Sequence, residues 1–265
     1  MISVADSYEF SYRHKKAENQ DACFTLSCAG AGVASGGIRI QAVADGVSTS
    51  NGRISARIAL EAAYGPLAAL LADLPAMASL PRRSQDARIR EAMQTAVREA
   101  DSALRAHSGD CGSTLSIAVT YRDRIYTCNI GDSPIYLLKG IARDPSFLEL
   151  YHCQNEAAER VRRGEMTREE ARLSPFRNHL IRSLGETRRI LNEDIPIFVE
   201  ALAADNVLLM GSDGALSVLR PGRIEGLMQS SKNMQNLVER IYEEVDETTD
   251  AEDNFTALAS RILVN

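Results

Sequence analysis

The sequence "IQAVADGVSTSNG" (Ile40 to Gly52) decides the fold, because in it an apolar run ends abruptly on an aspartate followed by a glycine. An apolar run that stops at such a turn signal is typical of a β-strand. Asp45 therefore stands at the tip of a predicted strand. The chain repeats the arrangement in "NVLLMGSDGALS" (Asn206 to Ser217), where an apolar run ends on Asp213 and Gly214. Both fold and function depend on whether these two tips meet in space.

The order of the surrounding elements indicates the architecture. Strand-like segments precede Asp45, two helical stretches follow it, and then come more strands, a second group of helices and a last strand, "NFTALASRIL". Period-two alternation in the strands favours antiparallel sheets with one buried face. Paired helices, rather than one helix after each strand, disfavour a doubly wound parallel sheet. We expect two packed β-sheets, each covered on its outer face by a pair of helices.

Two segments between these strands have a specific interpretation. The stretch from Asp86 to His107 predicts an amphipathic helix, whose apolar face carries Ile89, Met93, Ala96, Val97, Ala100 and Leu104. The glycine-rich "GAGVASGG" (Gly30 to Gly37) joins two strands and has a serine where a dinucleotide-binding loop needs glycine. We interpret it as a hairpin loop.

Composition excludes several classes of function. The chain has 265 residues, of which 45% are hydrophobic and 25% charged, as in an ordinary globular domain. A net charge of -6 and a 5% aromatic content argue against a nucleic-acid partner. Five cysteines without a closely spaced pair predict reduced thiols. The acidic N-terminal segment, and charges within the apolar region from Ile58 to Leu80, predict a cytoplasmic protein that does not enter a membrane.

Five aspartates lie at strand ends or tight turns, and each adjoins an apolar run: Asp21, Asp45, Asp132, Asp213 and Asp253. A single aspartate at such a position is more often a turn or cap residue. Antiparallel strands that end at one rim would bring several carboxylates together, and their mutual repulsion then requires a cation. Ligation by oxygen alone selects hard ions such as Mg²⁺ or Mn²⁺. Gly46 leaves room for a backbone carbonyl to approach such an ion.

Seven segments of the chain occur in the order found in one family of enzymes. They are "NQDA", "VADGV", "CGSTLSIAV", "CNIGDSPIYLL", "RRGEMTREEARLSPFRNHLIRSLG", "LLMGSDGAL" and "DNFTALA". The chain resembles the metal-dependent protein phosphatases (the PPM, or protein phosphatase 2C-like, family) of the bacterial type over nearly its whole length. The resemblance implies an α+β fold, a four-layer αββα sandwich, with residues 1–265 forming one catalytic domain and about 150–190 forming its flap.

The resemblance also implies a reaction and a set of metal ligands. The family's members are serine/threonine phosphoprotein phosphatases, in which a hydroxide bridging two Mn²⁺ or Mg²⁺ ions attacks a phosphomonoester directly. By resemblance, Asp45 bridges both ions and the Gly46 carbonyl adds a ligand. Asp213 and Asp253 bind the other ion, and Asp21 holds metal-bound water. Asp21, Asp45 and Asp213 are thus the implied catalytic residues, and Asp132 falls where many bacterial members bind a third ion.

The chain departs from the family pattern at several positions. Lys16 stands where the family has its phosphate-binding arginine, so a point charge replaces a bidentate fork. Arg13 would take that role if the loop is shifted. Ser217 replaces an aspartate common in the family, which weakens the third metal site. Val47 replaces a histidine proposed as the general acid, and His14 is the alternative.

Two functions therefore remain open from the sequence. The first is an active phosphatase, a monomer acting on a phosphorylated protein that a serine/threonine kinase has modified. The second is a catalytically weak or inactive relative that binds a phosphorylated partner as a regulatory module. The enzyme is favoured by four retained metal-ligand positions, which are Asp45, Gly46, Asp213 and Asp253. The binding module is favoured by Lys16 and Ser217.

A cysteine-dependent phosphatase is a poor alternative. Six residues separate Cys153 from Arg160 in "HCQNEAAER", whereas a phosphate-wrapping loop needs five, and no glycine allows the backbone to curl. The arginines between Arg160 and Arg189 have two interpretations, which are recognition of a phosphopeptide and a solvated surface neutralised by neighbouring glutamates.

Overall fold

A computed structural model describes residues 2–13, 15–28, 37–47, 51–107, 109–141, 144–248 and 252–264. Within these ranges the chain forms ten strands. They are β1 (Ile2–Tyr12), β2 (Asp21–Cys28), β3 (Ile38–Asp45), β4 (Leu115–Tyr121), β5 (Arg124–Ile130), β6 (Ile135–Lys139), β7 (Ser146–Glu149), β8 (Ile197–Ala201), β9 (Asp205–Gly211) and β10 (Phe255–Val264).

Eight α-helices connect the strands in the same described ranges. They are α1 (Gly52–Ala72), α2 (Leu74–Ala78), α3 (Arg82–Ala106), α4 (Glu156–Arg162), α5 (Arg168–Leu173), α6 (Asp213–Leu216), α7 (Pro221–Ser230) and α8 (Met234–Asp246). Two short 3₁₀-helices, Pro175–Asn178 and Asn192–Asp194, lie between α5 and β8.

The described strands form two antiparallel five-stranded sheets. The first has the order β1-β10-β9-β6-β7, and the second has the order β2-β3-β4-β5-β8. The two sheets pack face to face across an apolar layer that includes Val43, Ile135 and Leu258. Consecutive strands β2 and β3 pair from Asp21 opposite Asp45 to Cys28 opposite Ile38. The predicted hairpin loop between them lies, except for Gly37, outside the described residues.

Helix pairs cover both outer faces, which confirms the predicted αββα sandwich. Helices α1 and α3 pack on the second sheet in a cluster that includes Leu67, Met93 and Ile117. Helices α7 and α8 pack on the first sheet with Leu227, Ile241 and Leu209. Because each sheet buries both of its faces, its central strands consist largely of buried residues.

Helix α3 buries the whole predicted apolar face, from Ile89 to Leu104. It begins at Arg82, four residues before the predicted start, because Pro81 has the extended backbone that precedes a helix and accepts the first helical hydrogen bonds. Among the described residues, α1 alone is long and apolar enough to span a membrane by length and composition. Its apolar side packs against α3 and the second sheet, as in the core helix of a globular domain.

The sequence patterns missed three short elements. Strand β7 pairs only with β6 at the sheet edge, and its residues are exposed or partly exposed, so it lacks the apolar alternation of a buried strand. Helix α2 follows α1 after the single residue Asp73, within a region read as one apolar stretch. Helix α6 is a single turn that begins at Asp213, which therefore lies at the start of a helix just beyond β9.

Candidate functional site

The first two predicted carboxylates lie opposite each other on neighbouring strands. Asp21 begins β2 and Asp45 ends β3, and the two are paired in the register of the second sheet. The backbone of Asp45 is fixed on both sides. Its N–H donates to the Thr114 hydroxyl over 3.0 Å, and its carbonyl accepts from Thr114 N–H over 2.8 Å and from the Ser113 hydroxyl over 3.0 Å. The rim end of β3 is therefore rigidly placed.

The other two carboxylates come from the first sheet. Asp213 directly follows β9 and Asp253 precedes β10, and these strands are neighbours. Gly214 allows the two segments to touch, because a Cβ at this position would lie 2.2 Å from the Asn254 carbonyl oxygen and 2.9 Å from Cβ of Asp253. The carboxyl groups of Asp45 and Asp213 lie close enough across the two sheets to influence each other's pKa. The two Asp-Gly tips of the sequence therefore meet.

Crowding changes the acidity of these carboxyls. Burial raises the pKa of Asp21 to about 7, and the charges of Asp213 and Asp253 add to the rise. The Ser212 and Thr256 hydroxyls lie close enough to oppose it. Burial, followed by the charges of the neighbouring aspartates, likewise raises the pKa values of Asp45 and Asp213 above the usual range. Charges assembled in this way are stable only when protons or cations neutralise them.

Asp132 lies in the turn between β5 and β6 and is almost wholly buried. Gly131 makes this turn with φ +97°, and a Cβ there would lie 2.6 Å from the Thr114 side chain. Burial raises the pKa of Asp132 to about 8, and the charge of Asp213 contributes. Asn155 donates a hydrogen bond of 3.0 Å to its carboxylate and also caps the N-terminus of α4. Asp132 thus joins the rim to the predicted flap.

The donor atoms at the rim fit a hard divalent cation. Both carboxylate oxygens of Asp21 are buried and lack a hydrogen-bond partner in the described part of the chain. Since buried polar atoms are almost always paired, these oxygens are available to a ligand. Oxygen donors without sulfur or imidazole match Mg²⁺ or Mn²⁺. Among the described residues, however, no three acidic, histidine or cysteine side chains already converge as a preformed metal cage.

A lysine ammonium occupies one side of this rim. Lys16 Nζ lies 2.5 Å from Asp253 Oδ1 and 3.3 Å from Gln20 Oε1. The guanidinium of Arg13 instead donates to the backbone carbonyls of Lys16 and Ala17, over 3.2 and 3.1 Å. The structure thus brings Lys16, and not the Arg13 guanidinium, to the carboxylates. His14, the alternative general acid, lies outside the described residues.

Sequence reasoning missed Asn254, the residue that holds the Lys16 loop in place. Its side-chain amide donates to the carbonyls of Arg13 and Glu18 over 2.8 and 3.1 Å, and its side-chain oxygen accepts from Gln20 N–H over 2.9 Å. The one available signal was its position after Asp253 in "DNFTALA". Thr114 and Asn155 were also missed, because their partners lie far away in the sequence.

Gly46 has a packing role that the sequence did not reveal. A Cβ at Gly46 would lie 1.9 Å from the carbonyl oxygen of Gly52, the first residue of α1. The start of the helix therefore presses directly on the backbone that follows Asp45. The role of the Gly46 carbonyl as a metal ligand stays a prediction.

A cavity of about 1130 Å³ opens beside the rim and extends under the predicted flap segment. Its rim side includes Lys16, Asp132, Asp213 and Asp253. Its far side carries the arginines Arg162, Arg168, Arg172, Arg177 and Arg220 and the glutamates Glu149 and Glu169. Several of these arginines are ion-paired, for example Arg168 with Glu149 over 3.2 Å and Arg172 with Glu169 over 3.0 Å. The flap arginines therefore face the cavity and are partly neutralised by neighbouring acids.

Cys153 is not suited to nucleophilic chemistry. All five are free thiols, and burial raises the pKa of Cys153 to about 12. A thiol with this pKa carries almost no thiolate near neutral pH. This agrees with the interpretation of Cys153 as an ordinary, partly buried side chain.

Comparison with known proteins identifies similar sequences. A family model described as protein phosphatase 2C matches residues 11–167. The serine/threonine phosphatase stp of Listeria welshimeri is 26% identical over 147 residues, which amount to 56% of this chain and 55% of that protein. The chain therefore spans about half the length of the curated relatives it matches.

Solved structures match the fold over almost the whole chain. The PPM Ser-Thr phosphatase MsPP from Mycobacterium smegmatis, in complex with cacodylate, is 25% identical with a TM-score of 0.72, covering 97% of this chain and 98% of that one. The catalytic domain of the phosphatase PstP, in complex with 2 manganese ions, is 20% identical with a TM-score of 0.70, covering 99% of this chain and 100% of that one.

Proposed function

The chain belongs to the protein phosphatase 2C family, and from this premise we propose that it is a metal-dependent serine/threonine phosphoprotein phosphatase. The observation that carries the proposal is the meeting of Asp21, Asp45, Asp213 and Asp253 at one rim, where the Ser212 and Thr256 hydroxyls are near the buried Asp21 oxygens but make no hydrogen bond of normal geometry to them within the described chain. A structural role would have provided donors for such buried oxygens.

The rim carboxylates would hold the cations. Asp45, Asp213 and Asp253, with the Gly46 carbonyl, would bind two Mn²⁺ or Mg²⁺ ions, and Asp132 would take part in a third site. When bound, the cations supply a water of lowered pKa for direct attack on phosphorus and stabilise charge on the phosphoryl oxygens. Asp21, whose carboxylate oxygens are buried at the rim, would orient that water.

The remaining groups would bind the substrate. Lys16, whose ammonium lies beside Asp253, would contact the phosphoryl group. Arg13, the alternative, would do so only if its loop shifts away from the Lys16 and Ala17 carbonyls. The cavity beside the rim is large enough for the peptide that carries the phosphate. We infer that 1–265 acts as one catalytic domain, with about 150–190 as its flap. We infer also that it works as a cytoplasmic monomer on substrates of a serine/threonine kinase.

A direct test is hydrolysis of phosphoserine and phosphothreonine peptides with Mn²⁺, with Mg²⁺ and after chelation. We expect turnover that requires the metal and falls by at least about 100-fold in Asp213→Asn. Asp144→Asn is the matched control, because Asp144 is exposed in the β6–β7 loop and should not affect the rate. Turnover that survives both chelation and Asp213→Asn would exclude this mechanism.

The alternative is a relative that binds a phosphorylated partner without hydrolysing it. The ion pair between Lys16 and Asp253 is the feature that favours it, since it occupies a predicted metal ligand. Phosphopeptide binding without turnover under any of these metals would support the binding module over the enzyme.

A further inference from the structure

Lys16 contacts a residue that the proposed function assigns to a metal ion. Its ammonium lies 2.5 Å from one oxygen of Asp253, and both side chains are partly buried, with 27% and 40% exposed. The Gln20 amide oxygen accepts a second hydrogen bond from the same ammonium. An oxygen that accepts so short a charge-assisted hydrogen bond does not offer the same lone pair to a cation.

The contact is built into the fold. Asn254, adjacent to Asp253, bonds to the backbone on both sides of Lys16, at Arg13 and Glu18. The Arg13 guanidinium closes the same loop by donating to the Lys16 carbonyl. The loop that carries Lys16 is therefore fixed to the segment that carries Asp253, so the two side chains stay within reach.

We propose that Lys16 is an exchangeable counter-cation: its ammonium competes with a divalent cation for the Asp253 carboxylate, and once displaced it turns to the phosphoryl group of the substrate. This inference rests on the proposed function. A lysine suits the exchange because its ammonium is a point charge on a flexible four-carbon stem, whereas an arginine would form a bidentate pair that is harder to displace.

The exchange makes metal binding weaker than the carboxylates alone would allow. It also couples the two ligands, because an ammonium displaced by the metal becomes available to the phosphate. The departure from arginine at position 16 would therefore set the metal affinity of the site as well as its contact with substrate.

The test is a calorimetric titration of the full chain with Mn²⁺ at about 0.15 M salt. We expect Lys16→Met to bind Mn²⁺ about three- to tenfold more tightly than the unmodified protein, because a competing ion pair has been removed. Lys15→Met is the matched control. It removes the same charge from the neighbouring exposed side chain, and its dissociation constant should stay within about twofold of the unmodified value.

Several results would overturn the inference. Equal or weaker Mn²⁺ binding by Lys16→Met would do so, as would an equal gain in Lys15→Met, since that would reflect net charge alone. Lys16→Gln replaces Lys16→Met if the latter does not fold, as judged by circular dichroism, and the same outcomes apply. If the unmodified protein itself binds no Mn²⁺, the metal-dependent function fails, and this result is distinct from equal binding by all the proteins.

Discussion

Two buried carboxylates in this molecule have opposite surroundings. Asp101 on α3 is 1% exposed, and its oxygens accept from the Arg105 guanidinium and from the backbone N–H groups of Gly185 and Ile190, over 3.0, 3.1 and 3.3 Å. Asp21 is buried at its oxygens too, yet among the described residues only the Ser212 and Thr256 hydroxyls are near, and neither makes a hydrogen bond of normal geometry to it. A carboxylate whose oxygens are fully hydrogen-bonded serves the fold, whereas a buried one with incomplete hydrogen bonding destabilises it unless a ligand is bound.

Asp101 also supports the rim, although it does not lie there itself. Asp101 accepts a hydrogen bond from the backbone N–H of Gly185. The preceding residue, Leu184, exchanges backbone hydrogen bonds of 2.8 and 3.3 Å with Ser113. The Ser113 hydroxyl in turn donates to the Asp45 carbonyl. The structural carboxylate therefore anchors the end of the predicted flap segment, against which the rim backbone rests.

The sharpest test of this comparison is removal of the charge of Asp21, the carboxylate with incomplete hydrogen bonding. In Asp21→Asn we expect kcat/KM for a phosphopeptide to fall by about 10³-fold, roughly 4 kcal/mol in the activation barrier, because an oriented oxygen at the reacting centre is lost. Thermal unfolding of the chelated protein should show an unchanged or raised Tm, because a poorly solvated carboxylate has been removed. A clear fall in Tm would show that Asp21 is a structural residue like Asp101.

Replacement of Asp101, whose oxygens are fully hydrogen-bonded, should instead lower the stability of the fold. We expect Asp101→Ala to lower the free energy of unfolding by about 3 kcal/mol, because it leaves two backbone N–H groups and the Arg105 charge without their acceptor. Urea unfolding of the chelated protein measures the change, and Asp144→Ala, at an exposed loop position, is the control. If the stability of Asp101→Ala equals that of the control, the hydrogen bonds to Gly185 and Ile190 contribute nothing.

Proton linkage gives a third test, which should show a smaller effect. Asp21 and Asp132 have pKa values of about 7 and about 8, against the ordinary value of 3.8. The folded chain therefore binds more protons than the unfolded one between about pH 4 and pH 8. The stability due to these groups is fully present below about pH 4 and is lost as the pH rises through 7 to 8.

Divalent cations compete with these protons, so their effect has the opposite pH dependence. We expect saturating Mn²⁺ to raise Tm by about 4 °C more at pH 8 than at pH 6. Differential scanning calorimetry with and without chelator measures the difference. Asp21→Asn should reduce the pH dependence of the chelated protein, and an Mn²⁺ effect that is independent of pH would contradict the assignment.

The smallest effect concerns the link between rim and flap. Asn155 and Asn233 both cap helices, since their side chains accept from Ala158 N–H and Asn236 N–H. Replacing either by alanine should cost about 1 kcal/mol of stability. Only Asn155 also donates to Asp132, so Asn155→Ala alone should lower kcat/KM for a phosphopeptide, by about threefold. Equal rates in both variants would show that this link does not position the flap.

The sequence predicted the layers of the fold well, because long apolar runs have distinct periods. The helix through Ile89 and Leu104 and the strands ending at Asp45 and near Asp213 were identified from local pattern alone. Strand β7 was missed because an exposed four-residue strand has no apolar period. The start of α3 was misplaced by four residues because its first turn, Arg82 to Gln85, carries no apolar residue, whereas the helix begins directly after Pro81.

Parts of the site were less accessible to such reasoning. The rim aspartates could be proposed because each follows or precedes an apolar run. Asn254 could not, because its bonds to Arg13 and Glu18 join positions more than 230 residues apart. The direction of the Lys16 side chain depends on the same hydrogen bonds of Asn254. Such contacts follow from tertiary packing and leave no periodic signal in the sequence.

The position of β10 has a consequence for synthesis on the ribosome. This strand lies between β1 and β9, so the first sheet cannot be completed until residues beyond Phe255 have left the exit tunnel. Until then β1 and β9 lack their shared neighbour, and Asp253 has no strand to hold it at the rim. A chain that stalls or is cleaved before this point would have no assembled site, so only a fully translated domain could carry the proposed activity.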